Sequence, residues 1–250
     1  MSWKGSLAPL LLIAALLAGW EGLVRALELP LWLLPPPSRI ATTLLGSLPV
    51  LGEHVAATLQ VTLLGFALAL ALGFGLGFAI DASPLLRRAL YPLLVASQTV
   101  PIVAIAPLLV VGLGFGMLPK VLVVALVTFF PIVVSTVDGL QSADRDMLRL
   151  LQAMGAGYWR LLRLLRLPAA LPAIFSGIKI AVTYSVIGAV LAEWIGASAG
   201  LGVYIARSLR AFRTDQVFVA ALVTSLLTLL LFGLTAALER RLVSWKEVRE

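Results

Sequence analysis

Residues 150–181 read LLQAMGAGYWRLLRLLRLPAALPAIFSGIKIA. Arginines at steps of three (Arg160, Arg163, Arg166), the glycines Gly155 and Gly157, and the pairs Leu167-Pro168 and Leu171-Pro172 interrupt an otherwise greasy chain. The stretch starts basic and half apolar, then turns apolar without a break. Such a segment suits the surface of a bilayer, with a membrane span beginning at its far end.

Just upstream, 142–154 reads SADRDMLRLLQAM. Ser142 or Asp144 can cap a helix start. Met147, Leu148, Leu150, Leu151 and Met154 then share one face at helical spacing. Gly155 follows, where a left-handed helix end is easiest. A second short helix, YWRLLRLLR, would set its arginines at i+3 steps among Leu and Trp. Pro168 suits the opening of the next helix, and Pro172 its first turn. The segment reads as two short amphipathic helices around a glycine hinge, parallel to the membrane. Two roles stay open on these grounds: a helix pair resting on lipid headgroups, or a knob for the groove of a cytoplasmic partner.

The whole chain explains why a membrane is invoked. Of 250 residues, 61% are hydrophobic and 12% charged, and mean hydropathy is +1.05. A soluble domain is about half apolar and a quarter charged, so the chain reads as a polytopic membrane protein. No cysteine is present, which excludes disulfides and thiolate metal sites. A net charge of +7 would suggest nucleic acid in a soluble protein. Here it reads as the Lys and Arg excess of cytoplasmic loops, with the lipid bilayer and not nucleic acid as the expected partner.

A span needs about 20 apolar residues, and six windows qualify: 7–27, 58–80, 89–111, 118–137, 172–195 and 216–238. The first could instead be a signal peptide, with Lys4 in its charged head. Its apolar pattern runs on to Leu34, past Glu21 and Arg25, an i,i+4 pair in the favourable order. With the N-terminus inside, twelve cations fall on inner segments: Lys4, Arg87, Arg88, Arg145, Arg149, Arg160, Arg163, Arg166, Arg240, Arg241, Lys246 and Arg249. Five fall outside: Arg39, Lys120, Arg207, Arg210 and Arg213. Both termini are therefore expected in the cytoplasm. The cluster at 207–213 runs against this locally, or marks a short amphipathic helix on the outer surface. LLPPPS at 33–38 reads as an extended linker.

Gly155, an intervening stretch and Leu167-Pro168 resemble the cytoplasmic "EAA" loop of ABC importer permeases. MGAGYWRLLRLLRLPAALP is similar to the version in binding-protein-dependent importers for sulfonate, nitrate, taurine and thiamine-pyrimidine precursors. LPKVLVVALVTFFPIVVSTVDGL (118–140) and VIGAVLAEWIGASAGLG (186–202) resemble permeases for pyrimidine thiamine precursors and riboflavin more than those for sulfonates. The family's Glu-Ala-Ala triplet falls on Arg149-Leu150-Leu151, so a salt bridge from that Glu is not carried over.

The resemblance implies an all-α membrane protein with six transmembrane helices, the type I ABC importer permease fold, and one permease domain over 1–250 with a coupling loop at 138–171. It implies an ATPase-coupling set of Met147, Leu148, Leu150, Leu151, Met154, Gly155, Arg160, Leu167 and Pro168. The implied partners are a cytoplasmic ATPase dimer, an extracytoplasmic binding protein and a second permease chain, a second copy in a homodimer. ATP and Mg belong to the ATPase, with no cofactor on this chain. The implied location is the bacterial cytoplasmic (inner) membrane. The implied activity is import of a small solute, a pyrimidine thiamine precursor, with riboflavin or sulfonate, nitrate or taurine as alternatives.

Polar residues inside the membrane are costly and mark pathways. Gln98 and Thr99 sit mid-window, with Pro101 and Pro107 able to break that helix; interhelical hydrogen bonds and packing kinks are the structural alternative. Thr183, Tyr184 and Ser185 lie about 17 Å into the fifth window by helical rise, facing a pathway or serving structure. Glu193 is an outer gate, a contact to a binding protein or a wet surface carboxylate, beside the interface anchor Trp194. Lys179 is expected to snorkel out. GFGLG at 73–77 mimics a phosphate loop, but lies in an apolar helix without a following Lys-Ser/Thr, so Gly73 and Gly77 read as a helix-packing face. His54, the only histidine, is expected on the surface of a short outer helix.

Other function classes fare worse. A membrane enzyme needs paired carboxylates, a His with an acid or a metal set, and the sequence groups none. A passive channel would have no use for 144–168. No Gly-x-x-x-x-Gly-Lys-Ser/Thr motif occurs, so the energy for transport is expected from a partner.

Overall fold

The computed structural model describes residues 3–243, with side chains from residue 8 onward. Lys246 and Arg249 lie outside the described residues, as does the side chain of Lys4. The chain is helical: α1 (Trp3–Ala26), α2 (Pro37–Ala82), α3 (Pro84–Ser97), α4 (Ile102–Leu113), α5 (Met117–Gln141), α6 (Arg145–Ala153), α7 (Tyr158–Leu161), α8 (Leu167–Glu193), α9 (Leu201–Arg210) and α10 (Thr214–Leu242). A π-helical turn (Leu162–Arg166) joins α7 to α8.

The core lies where α5 packs between α2 and α8. Lipid gives helices no hydrophobic reason to associate, so close approach through small residues must do it. On α2, Gly65, Ala69, Gly73 and Gly77 recur every four residues and form one face. A methyl added at Gly73 would stand 2.7 Å from Ile132 Cγ2, and one at Gly77 2.8 Å from Thr136 Cγ2. Gly177 of α8 and Gly139 of α5 meet the backbone of the facing helix in the same way. Val124, Ile132, Val133, Val137, Ala181, Val186 and Ala189 are sealed between these faces. By contrast, α1 leaves Leu10, Leu11, Leu12, Ile13, Leu16 and Leu17 exposed. At its far end the foreseen pair forms, with Arg25 and Glu21 2.6 Å apart and Ser38 bonded to the same carboxylate.

Among the described residues five helices are long and apolar enough to cross a membrane, six if one bent pair is a single span. The window 58–80 sits inside a 46-residue α2, about 69 Å long by helical rise, more than twice the hydrocarbon core. The window 89–111 is broken into α3 and α4, which meet at 95°. Pro101 takes an extended conformation ahead of α4, with φ −64° and ψ 117°, and its missing N–H ends the ladder there.

Residues 158–166 form no separate amphipathic helix. The chain runs as one 36-residue helical stretch from Tyr158 to Glu193. In the π turn the Leu167 N–H reaches back to the Leu162 carbonyl. That extra residue eases the ring of Pro168 past the carbonyl it would otherwise strike. Lys179 does not snorkel: its Nζ lies 2.7 Å from Glu239 Oε2, a mostly buried pair tying α8 to α10. The cluster at 207–213 does include a short helix, α9, whose Arg207 donates to the Ser198 carbonyl while Arg39 and Arg213 approach Asp215.

Candidate functional site

At one end of the bundle α6 projects as a knob. Asp144 is its N-cap, its carboxylate accepting the N–H groups of Asp146 at 2.8 Å and Met147 at 3.0 Å. Those two bonds, Met147's first, hold the Asp144 carboxyl below the usual carboxylate range. The far end closes on Gly155 at φ +83°. There the Ala156 N–H bonds to the Leu151 carbonyl and the Gly155 N–H to that of Gln152, the paired pattern that needs a left-handed residue. Any side chain at Gly155 is therefore strained.

The apolar face of α6 splits into two stripes. Met147, Leu150 and Met154 point outward at 52%, 56% and 73% exposure. Leu148 and Leu151 turn in and are half-buried. Arg149, in the triplet position, only pairs with Asp146 at 3.4 Å on the surface. Arg160 and Arg163 are exposed. Arg166 turns inward, its Nη2 2.5 Å from Asp81 Oδ1. Leu167 and Pro168 are half-buried within continuous helix.

A groove of about 750 Å³ opens on the side of α5 and α8. Its polar lining is Gln98, Ser135, Asp138, Ser176 and Tyr184, on a floor that includes Phe130, Pro131, Ile180 and Gly177. A second hollow of about 420 Å³, lined by Pro101 and Ile105 among others, shares Gln98 and Val127 with it. Gln98 thus stands where the broken helix meets both. Among the described residues no Lys or Arg lines either space. Of the triplet 183–185 only Tyr184 lines the groove, 46% exposed. Thr183 and Ser185 donate to the carbonyls of Lys179 and Val182 in their own helix. Thr99 is exposed and donates to the Ala96 carbonyl. Asp138, on the lining of the groove, reads in the sequence as the start of the loop. A lone carboxylate following a span is the signal that was available.

Glu193 and His54 are not on the surface. Both belong to a buried cap at the opposite end of the bundle. Gly200 N–H donates to His54 Nδ1 at 2.9 Å, Leu201 N–H to Thr58 Oγ1 at 2.8 Å, and Gly202 N–H to Glu193 Oε2 at 2.8 Å. Three side chains from α2 and α8 thus satisfy three successive donors that open α9, groups a helix start leaves unpaired. Gly200, at φ +131°, has no room for a side chain against the Glu193 carboxyl. The Glu193 side chain is 2% exposed, a position closed to wet contact with a partner. Among the described residues no three His, Asp or Glu side chains gather to hold a metal.

The sequence matches the family described as "Binding-protein-dependent transport system inner membrane component" over residues 69–244. It is 39% identical to the formylaminopyrimidine transport permease protein ThiX of Halalkalibacterium halodurans, covering 97% of each chain. It is 37% identical to the riboflavin transport system permease protein RibX of Chloroflexus aurantiacus, over 92% of this chain and 87% of that one. In fold it is similar to an inward-facing structure of the MetNI methionine ABC transporter, with a TM-score of 0.70 over 79% of this chain and 98% of the other, at 17% identity.

Proposed function

The chain belongs to the family of binding-protein-dependent transport system inner membrane components, and on that premise we propose that it carries an uncharged amino-substituted pyrimidine of the thiamine-precursor class through the groove beside Gln98. It is the permease subunit of an ABC importer, a transport subunit and not an enzyme. It works with an ATPase and a binding protein.

The observation carrying the substrate reading is the charge of the groove. Among the described residues its lining includes one carboxylate, Asp138, and no cation. A sulfonate or nitrate would meet a like charge with nothing to offset it. An aminopyrimidine can stack on Tyr184, exchange paired hydrogen bonds with the Gln98 amide and donate its exocyclic N–H to Asp138. The relative named for formylaminopyrimidine transport supports the same class. Pro101, at the break, is assigned to the path with Gln98 and Tyr184. Thr99, Thr183 and Ser185 are assigned to structure, because their hydroxyls already bond within the protein, and Glu193 because it is buried with Oε2 accepting the Gly202 N–H.

The α6 knob is assigned to coupling. Its exposed stripe of Met147, Leu150 and Met154, with Gly155 as hinge, suits an apolar cleft on the ATPase. Leu148 and Leu151 hold the knob's inner side, Arg160 flanks it, and Leu167 and Pro168 lie where the chain has already re-entered the bundle. The knob end is taken as cytoplasmic, with both termini on that side of the bacterial inner membrane, on the twelve-to-five distribution of cations. The groove is open along one side, and a second copy of the chain is assigned to close it. ATP and Mg on the ATPase dimer drive its closure, which pulls the knob. The two permease chains then rock between inward and outward openings around the groove.

Thermal stabilisation of the binding protein that serves this permease tests the substrate class. The panel is aminopyrimidines, riboflavin, taurine, alkanesulfonates and nitrate. An upward shift with an aminopyrimidine is expected. A shift with a sulfonate or nitrate alone would overturn the substrate reading, and a shift with riboflavin alone would move it to flavins.

A further inference from the structure

We propose that the buried ion pair between Asp81 and Arg166 is the joint that locks both roots of the α6 knob to the bundle, making these two positioning residues for coupling. The proposal rests on the knob reading above. The chain leaves the bundle for the knob at the end of α5 and returns through the π turn. One guanidinium holds both roots. Arg166 is the last residue of the π turn, its Nε donates to the carbonyl of Leu140 near the end of α5 at 3.1 Å, and its Nη2 lies 2.5 Å from Asp81 Oδ1 near the end of α2. The side chains are 17% and 2% exposed.

Stability alone does not account for the pair. Burying two charges costs desolvation that their attraction only roughly offsets. Asp81 Oδ2 is buried with no hydrogen-bond partner among the described residues, a further cost. The π turn is a widened geometry that recurs at functional sites. It turns Arg166 inward while Arg160 and Arg163 stay exposed. Between knob and joint lies a hollow of about 360 Å³, lined by Leu148 and Gln152 of α6 on one side and Tyr158, Leu140 and Arg166 on the other. The knob therefore stands off from the bundle and transmits force through its roots. Unpinned, the roots would slide apart when α6 is pulled. Pinned, they move α2, α5 and α8 together.

The test uses the complete importer, permease with ATPase and binding protein, in proteoliposomes, measuring uptake per ATP hydrolysed. Asp81→Asn and Arg166→Gln are each expected to lower that ratio about tenfold, a typical size for coupling between sites, with hydrolysis retained. Arg166→Lys, which keeps the charge, should fall between. An unchanged ratio in the single variants overturns the proposal. So does a fall of uptake and hydrolysis in proportion, with a lower melting temperature and an Arg166→Lys ratio equal to wild type, which is the pattern of a merely structural pair. Met147, Leu150 and Met154 changed together to Ser serve as the control. If that variant couples normally, the knob reading fails and takes the joint with it; if it uncouples while Asp81→Asn does not, only the joint fails.

Discussion

The two ends of this bundle start a short helix in opposite ways. At the knob, α6 is capped by Asp144, its own preceding residue, in full contact with water. At the other end, α9 is capped by His54, Thr58 and Glu193, which lie 146, 143 and 9 residues from the donors they satisfy, all buried. The first cap holds a helix together without tying it to anything. The second fixes a helix to two others. The knob, to which coupling is assigned above, is built locally, and the end that anchors α9 is built from distant chain. The same contrast appears in the glycines. Gly155 has open space around it and is needed for its backbone angle, whereas Gly202 is needed because the Val190 carbonyl and the Glu193 side chain leave no room.

Variants can break this comparison from either side. The largest effect is expected at the hinge. Proline cannot adopt φ +83°, so Gly155→Pro should abolish ATP hydrolysis stimulated by the loaded binding protein, with membrane insertion intact. Full stimulated hydrolysis in that variant would make the knob dispensable. Next comes the buried cap. Glu193→Ala leaves the Gly202 N–H buried and unpaired, which costs about 1–3 kcal/mol. The melting temperature of the purified protein should fall, and less so for Glu193→Gln, which keeps an acceptor. Equal melting temperatures for all three would refute the idea that this end is a lock.

The smallest effect is expected at Asp144. Its folded carboxyl titrates below the unfolded one. Its contribution to α6 is thus present above the ordinary carboxylate value of about 4 and fades as pH falls through the lower folded value. Amide exchange at Met147 should speed up in Asp144→Ala, while Asp144→Asn should keep most of the protection. The melting temperature should barely move in either. A large drop would mean that α6 is tied to the bundle as firmly as α9.

Much of the knob was legible in the sequence because everything that shapes it lies within about twelve residues, the reach of near-neighbour capping effects. The cap and the left-handed end lie where the pattern puts them, while the single apolar face divides into an exposed stripe and a half-buried one. The lining of the groove and the adjoining hollow was half legible. Gln98, Pro101 and Tyr184 line hollows, but 183–185 cannot be sorted by pattern, because consecutive residues face different helices and only packing says which. The buried cap was misread outright. His54 and Glu193 look like surface groups in an apolar chain until a loop 146 residues from His54 folds over both.

Apolar windows, cation bias and the glycine spacing of α2 determined by themselves that the chain is a membrane bundle with a knob on one side. In a bilayer those properties are enforced on each segment alone: every span must satisfy its own backbone, and every loop charge must find water. Only the tertiary structure decided that Asp81 meets Arg166 across 85 residues, that Lys179 meets Glu239 across 60, and that α3 and α4 part at 95°. Those outcomes depend on which small-residue faces come together and how closely, and that closeness is a property of two helices at once.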